Sequence, residues 1–220
     1  MGLINHFAKE LRKHHQLHAV VPPGANRVDL GDILIRKDGI YSPIGNIRNW
    51  GIRIKRETGK GVKLKFQSKG ASTTAFQAGV EVPLSKLKKA ANAELELSFN
   101  KGKSVFVRTS QMKGTQIGNL LAIGKKIKEM DQWEHGEYFI ASTVYHAKGF
   151  AVLVSRNKNS KINFSGKGGA VLSFLTLGLS AGLKRTGSSS AVVDFSSKET
   201  APIAMKIVRV DKKGKIKIIK

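Results

Sequence analysis

The chain predicts an α+β fold: a mostly antiparallel β-sheet with a few peripheral helices, forming a single domain over residues 1–220. Three observations carry that expectation. Apolar residues recur at every second position in many short segments, the period of half-buried strands. Glycine-containing turn signals separate those segments at short intervals. Helical spacing is confined to a few stretches, and 220 residues with 40% hydrophobic content suffice for a full core.

Leu3–His18 reads as a helix, with Leu3, Phe7, Leu11 and His18 expected on one face, and Pro22-Pro23-Gly24 ends it. Ile33–Ile35 and Ile40-Tyr41 flank Lys37-Asp38-Gly39, a hairpin signal, and Pro43-Ile44-Gly45-Asn46 breaks the chain. Ile52 and Ile54, then Val62, Leu64 and Phe66, alternate with Arg53, Lys55, Lys63 and Lys65 around a turn at Gly59-Lys60-Gly61. That pattern predicts one buried face and one cationic face.

Gly70–Thr74 reads as a polar loop and Phe76–Val82 as a strand ended by Pro83. Leu84, Leu87, Lys88 and Ala91 suit a short amphipathic helix or a basic loop. Ala93, Leu95, Leu97 and Phe99 alternate with Glu94, Glu96 and Ser98, and Val105–Val107 is expected to return antiparallel to them after Asn100-Lys101-Gly102-Lys103.

Ile117–Met130 predicts the main internal helix, with Ile117, Leu120, Leu121, Gly124 and Ile127 as its stripe and Lys125, Lys126 and Lys128 toward its C-terminus. After a turn at Glu134-His135-Gly136, Glu137–His146 and Phe150–Ser155 read as two strands joined at Ala147-Lys148-Gly149. Lys161–Phe164 is a further strand, and Gly168–Leu183 is an apolar run too short to cross a bilayer as a helix. Ser188-Ser189-Ser190 leads into Ala191–Phe195. Ile203–Val210 and Ile216–Ile219 close the chain around Asp211-Lys212-Lys213-Gly214.

Charge narrows the function. Lys and Arg number 39 against 15 Asp and Glu, a net +24. The excess is distributed: residues 51–130 hold 17 basic and 5 acidic side chains, and residues 146–220 hold 15 and 3. Self-repulsion of that size favours an anionic partner, the phosphates of nucleic acid or of lipid headgroups. Cysteine is absent, which excludes disulfides, thiolate metal sites and a cysteine nucleophile. Met1–Lys13 lacks the apolar core of a secretory signal, and Gly2 is followed by His6 where a myristoylation signal requires Ser or Thr.

Candidate chemistry is sparse. His14 and His18 have helical metal-ligand spacing, with His15 beside them, but a second ligand cluster is missing; His135 and His146 flank a strand and read as structural. Gly182–Ser188 has P-loop glycine spacing without the lysine after the second glycine, and the chain contains no Gly-x-Ser-x-Gly elbow. The chain is read as non-enzymatic, with no metal and no cofactor. Nucleic-acid binding fits the charge. However, Phe66, Phe99, Phe106 and Phe150 fall on apolar strand faces, where they cannot serve as base-stacking platforms.

The order of elements is familiar. Glu137–Val144 runs into His146–Val152, followed by a polar turn, Ser188–Phe195 and the closing strand Ala204–Val210. At the start stand a short helix, Pro22-Pro23, Leu30-Gly31-Asp32-Ile33, Gly39 and Ile44-Gly45-Asn46. This layout resembles the bacterial gasdermins over most of the chain.

The resemblance implies a twisted antiparallel sheet with peripheral helices that binds acidic lipids and assembles into a homo-oligomeric ring. Two regions, about 62–107 and about 138–195, would refold into amphipathic hairpins of a membrane barrel. The residues expected at lipid headgroups are Arg53, Lys55, Lys63, Lys65, Lys86, Lys88, Lys89, Arg156, Lys158, Lys161, Lys184 and Arg185. Val171–Leu183 would supply lipid-facing surface or a hairpin tip, or lie as a buried helix on the sheet before refolding. The implied role is a cell-death effector in antiphage defence, cytoplasmic when inactive and at the inner membrane when active. An activating protease or inhibitory partner is implied with it.

Bacterial gasdermins typically carry a lipidated cysteine near the N-terminus and a C-terminal inhibitory peptide. This chain has no cysteine, and its Lys212–Lys220 end is short and basic. The alternatives outside that family are a soluble nucleic-acid-binding protein using the same cationic face, and a basic structural protein of a larger assembly.

Overall fold

The Asp38-Gly39 hairpin forms as its sequence dictates. Asp38 (φ 51°) and Gly39 (φ 83°) both adopt the left-handed region that a two-residue turn of this hand requires. The computed structural model describes residues 2–23, 27–178, 181–187 and 192–219. Met1, Gly24, Ser188-Ser189-Ser190, Ala191 and Lys220, named above, lie outside them, as do residues 179–180 of the Gly168–Leu183 run.

In chain order the elements begin with α1 (Leu3–His15), β1 (His18–Ala19), β2 (Asp32–Lys37), β3 (Ile40–Asn46), β4 (Arg56–Val62), β5 (Lys65–Gln67), β6 (Ala71–Gln77) and β7 (Val80–Glu81). Then come β8 (Ala93–Phe99), β9 (Val105–Thr109), β10 (Met112–Ile117), α2 (Leu120–Lys128) and β11 (Tyr138–Ser155). The last are β12 (Ser160–Gly166), α3 (Gly168–Leu177), β13 (Leu183–Gly187), β14 (Val192–Asp194), β15 (Ser197–Val210) and β16 (Ile216–Ile219). Every strand pair whose register is resolved is antiparallel. The fold is α+β and mostly antiparallel, as the alternation predicts. No helix among the described residues is long and apolar enough to cross a membrane.

The backbone divides into two compact units. The first comprises Met1–Glu10, Lys63–Gln111 and Ala147–Thr200; the second comprises Leu11–Val62, Met112–His146 and Ala201–Lys220. The 18-residue strand β11 contributes its first half to the second unit and its second half to the first.

In the second unit, Tyr138–Ile140 pair with β2, and Thr143–His146 pair with β10, which pairs in turn with β4. β15 carries β1 on Ala204 and Met205, and β16 on Ile207–Val210. The core gathers Ile33, Leu34, Ile47, Ile127, Trp133, Ile140 and Ile207. In the first unit, β13-β12-β8-β6-β7 form a five-stranded sheet. β9 pairs with β5 and with the second half of β11, which also pairs with β14. The core here holds Leu95, Leu97, Phe99, Phe106, Leu153, Ile162, Phe164 and Phe174. Phe174 of α3 stacks on Phe106 at 5.7 Å and tilts against Phe164 at 4.4 Å, so the helix joins β9 to β12.

Several expectations are corrected. Ile52–Lys55 is irregular, and Gly59–Gly61 lies inside β4, where ladder pairing with β10 overrides the turn signal of its glycines. Residues 71–74 are strand: the inward residues Ala71 and Ala75 are too small to announce a buried face. Val105–Val107 does not pair with Ala93–Phe99, because the intervening loop carries the chain from β8 in one sheet to β9, which pairs with β5 and β11.

Ile117 ends a strand, and α2 buries Ile123, Gly124 and Ile127 while leaving Leu121 76% exposed. β11 runs unbroken through Ala147–Gly149, so two expected strands are one. Pro43 is accommodated in β3 at a register shift opposite Ile33 and Leu34, an arrangement that tolerates proline. Gly168–Leu177 is a helix burying Val171, Phe174 and Leu175, which matches the buried-helix reading of that run.

Candidate anion-binding surface

The twelve basic residues do not form one stripe. Arg53 and Lys55 lie in the second unit, on the irregular lead into β4. Asn119 holds that segment, accepting from the Lys55 amide at 2.8 Å and donating to the Arg53 carbonyl at 3.0 Å. Lys55 Nζ lies 3.4 Å from Glu57. The other ten are in the first unit. Lys63 occupies the gap between β4 and β5, and Lys65 lies on β5. Lys86, Lys88 and Lys89 line the 3-10 turn Leu84–Lys89, and Arg156 and Lys158 sit on the turn after β11. Lys161 pairs with Glu96 at 3.1 Å and Arg185 with Asp194 at 2.5 Å, while Lys184 is exposed on β13.

The expected alternation holds in burial, with Ile52, Leu64 and Phe66 buried and Arg53, Lys55, Lys63 and Lys65 exposed, but these residues do not share one strand face. Arg53 and Lys55 precede β4, Lys63 follows it, and only Lys65 lies on a strand, β5. The outer face of the five-stranded sheet is mixed, because register places Glu94 and Glu96 of β8 beside Ser165 and Asn163 of β12. Positive charge concentrates instead where β5, β9, α3 and the Leu84–Lys89 turn meet. A cleft of about 470 Å³ opens there, with Lys65, Lys88, Arg108, Thr73, Leu84 and Leu172 among its lining residues.

Arg108 was not expected from sequence. It stands in the run Val105–Thr109, all five residues of which are buried, and is itself 6% exposed. Its Nε donates to the Leu175 carbonyl at 2.9 Å, near the C-terminus of α3. Nη1 donates to the carbonyls of Phe66 (3.0 Å) and Val107 (2.8 Å), and Nη2 to Gln67 Oε1 at 3.3 Å. The guanidinium lies 4.3 Å from the Phe106 ring centre. Burial lowers its pKa to about 10, so it remains a cation at neutral pH. A lone arginine inside an apolar strand was the available signal: a charge that deep requires built partners.

The candidate histidines lie apart from this cleft and from any ligand cluster. His14 is exposed, and His18 is buried on β1 with Nε2 3.1 Å from the Ile219 carbonyl. His135 Nδ1 lies 3.3 Å from the Val210 carbonyl. Asp32, its pKa raised by burial, accepts from Asn46 Nδ2 and the Asp29 amide, both at 2.7 Å. Among the described residues no cluster of three metal-ligating side chains occurs.

No family model matches the chain. No curated protein matches it either. Among solved structures the chain is similar to a bacterial gasdermin from Bradyrhizobium tropiciagri, at 16% identity and a TM-score of 0.43, covering 96% of this chain and 89% of that one.

Proposed function

We infer that the chain is a gasdermin-like pore-forming protein and not an enzyme. It binds anionic lipid, forms homo-oligomers in the membrane and acts as a cell-death effector in antiphage defence. It rests in the cytoplasm until a protease or the loss of an inhibitory partner frees it, then acts at the inner membrane.

One observation carries this reading beside the layout resemblance. The first compact unit is built almost wholly from Lys63–Gln111 and Ala147–Thr200. Those are nearly the two regions, about 62–107 and about 138–195, that the resemblance implies leave the fold as hairpins. Lys63–Gln111 and Ala147–Thr200 share a core of their own, whereas Phe139, Ile140, Ala141 and Val144 of the second region belong to the core of the other unit and would have to leave it as well. Within them the strands already have the period a barrel requires. β8 buries Ala93, Leu95, Leu97 and Phe99 between Glu94, Glu96 and Ser98, and β12 buries Ile162 and Phe164 between Lys161 and Asn163. The two segments carry nine and eight basic side chains against three and two acidic ones, a net +12 available to headgroups.

Dye release from vesicles tests the reading. Vesicles of phosphatidylglycerol and phosphatidylcholine leak, and vesicles of phosphatidylcholine alone do not. Nucleic-acid binding with a steep salt slope and no leakage from either would replace this function with the soluble nucleic-acid-binding alternative.

A further inference from the structure

The cleft between β5, β9, α3 and the Leu84–Lys89 turn has a charge arrangement that the fold alone does not balance. Lys65 and Arg108 are direct partners across the β5–β9 ladder, so their side chains leave the same face. Like charges directly opposite on neighbouring strands destabilise the pair. Both line the cleft, and Lys88 adds a third cation from the turn. Among the described residues no carboxylate pairs with any of the three, although Lys161 and Arg185 of the same unit have such partners.

The acceptors of Arg108 are all neutral oxygens, which orient the guanidinium without neutralising it. Four of its five N–H groups are used, leaving one on Nη2. Thr73 and Ser85 bring hydroxyls to the lining, and Leu84 and Leu172 bring apolar surface. The cleft volume of about 470 Å³ lies within the range of small-ligand sites.

We propose that this cleft binds a phosphomonoester, its phosphate held between Lys65, Lys88 and Arg108 and its organic part against Leu84 and Leu172. A monoester phosphate carries close to two negative charges at neutral pH, which suits three cations lining one cleft better than the single charge of a diester. Bound there, it turns the Lys65–Arg108 repulsion into a shared attraction and links α3, β5, β9 and the Leu84–Lys89 turn. The proposal stands apart from pore formation: the cleft takes the group whether or not the chain opens membranes. The ester has two sources, a soluble metabolite or the headgroup of a monoester lipid.

The test follows the Arg108 Nε–H resonance of the full chain by NMR at constant ionic strength. The ligands are glycerol 3-phosphate, and separately vesicles containing phosphatidic acid or phosphatidylglycerol at equal surface charge. A saturable shift with glycerol 3-phosphate assigns a soluble source. A response to phosphatidic acid but not phosphatidylglycerol assigns a lipid source. In either case Lys65→Gln with Lys88→Gln weakens binding by about ten-fold. The control pair Lys212→Gln with Lys213→Gln, which removes the same charge from an exposed turn of the other unit, weakens it by less than about two-fold. The proposal is overturned if the resonance is unmoved by every ligand, or if the two vesicles act alike while glycerol 3-phosphate does nothing. Equal losses in both double variants would also overturn it.

Discussion

Replacing Arg108 with methionine tests whether the buried guanidinium holds α3 in place. Methionine keeps much of the side-chain length and the contact with Phe106 but removes every donor. Three strong hydrogen bonds disappear, to Leu175, Phe66 and Val107 at 2.9, 3.0 and 2.8 Å. At roughly 1 kcal/mol net each, the loss is about 3 kcal/mol. Two effects oppose each other beyond that figure. The Leu175 carbonyl, in the last turn of α3, loses a partner in a buried setting. Against this, a desolvated charge and its repulsion of Lys65 are removed. For a chain of this length, about 3 kcal/mol lowers the thermal midpoint by roughly 6–12 °C. Arg108→Lys keeps the charge but cannot reach three carbonyls from one ammonium, so it recovers only part of the loss. Hydrogen exchange localises the effect: amides of Val171–Leu177 lose protection before those of Ile140–Val144 in the other unit. If Arg108→Met unfolds within about 1 kcal/mol of the parent chain with α3 protection unchanged, the guanidinium is a passenger. Its bonds then do not anchor the helix.

The C-terminus of α3 gives a second prediction. Gly178 has φ 72°, and a Cβ there would collide with the Arg108 carbonyl oxygen and come within 2.7 Å of the Ala151 nitrogen. Gly178→Ala should cost about 2–4 kcal/mol by urea titration, whereas Gly39→Ala, with the same backbone hand and open space around it, costs about 1–2 kcal/mol. Equal costs would refute the collision. On the membrane side, Lys63→Glu with Lys65→Glu reverses two exposed charges, so sedimentation with phosphatidylglycerol vesicles should show a loss of at least about 2 kcal/mol, or thirty-fold, in affinity. Unaltered circular dichroism with unaltered vesicle binding would remove that edge from the contact surface.

The pH dependence is set in part by His18, whose pKa is lowered chiefly by burial, partly offset by the bond to Ile219 and reinforced by Arg12 and Arg36. With the folded value below the unfolded one, stability is complete above about pH 6.5 and declines as the unfolded chain takes up the proton first. The thermal midpoint should therefore fall between pH 7 and pH 5.5, and fall less in His18→Gln; an identical slope in both would clear His18.

What was legible in the sequence divides along physical lines. Alternation identified β8 and β12 because one face of each is packed by Leu, Ile and Phe. The hairpin at Asp38-Gly39 was legible because its backbone conformation is local. The misread elements depend on partners distant in sequence. β4 accepts two glycines because β10 supplies its ladder, and β6 hides behind Ala71 and Ala75, which stand opposite Phe99 and Leu95 of β8. β11 runs through a turn signal because Ser110 meets it there, donating from Oγ to the Lys148 carbonyl at 2.9 Å.

The cleft was not legible in the sequence for the same reason. Counting lysines along extended segments gives the surface charge but not where charge converges, and convergence depends on register. Register opposes Lys65 to Arg108, whereas on the five-stranded sheet it places glutamates among the polar outward residues. The decisive residue was the one that composition argues against. An arginine between Val107 and Thr109 has the neighbours of a core position, and only the α3 terminus and two strand carbonyls around it explain how a charge is kept there. Exposed lysines can be exchanged with little cost to this fold, but Arg108 links a helix end, two strands and a cleft through one planar group. The same buried contacts must break if the segments on either side of it are ever to leave their common core.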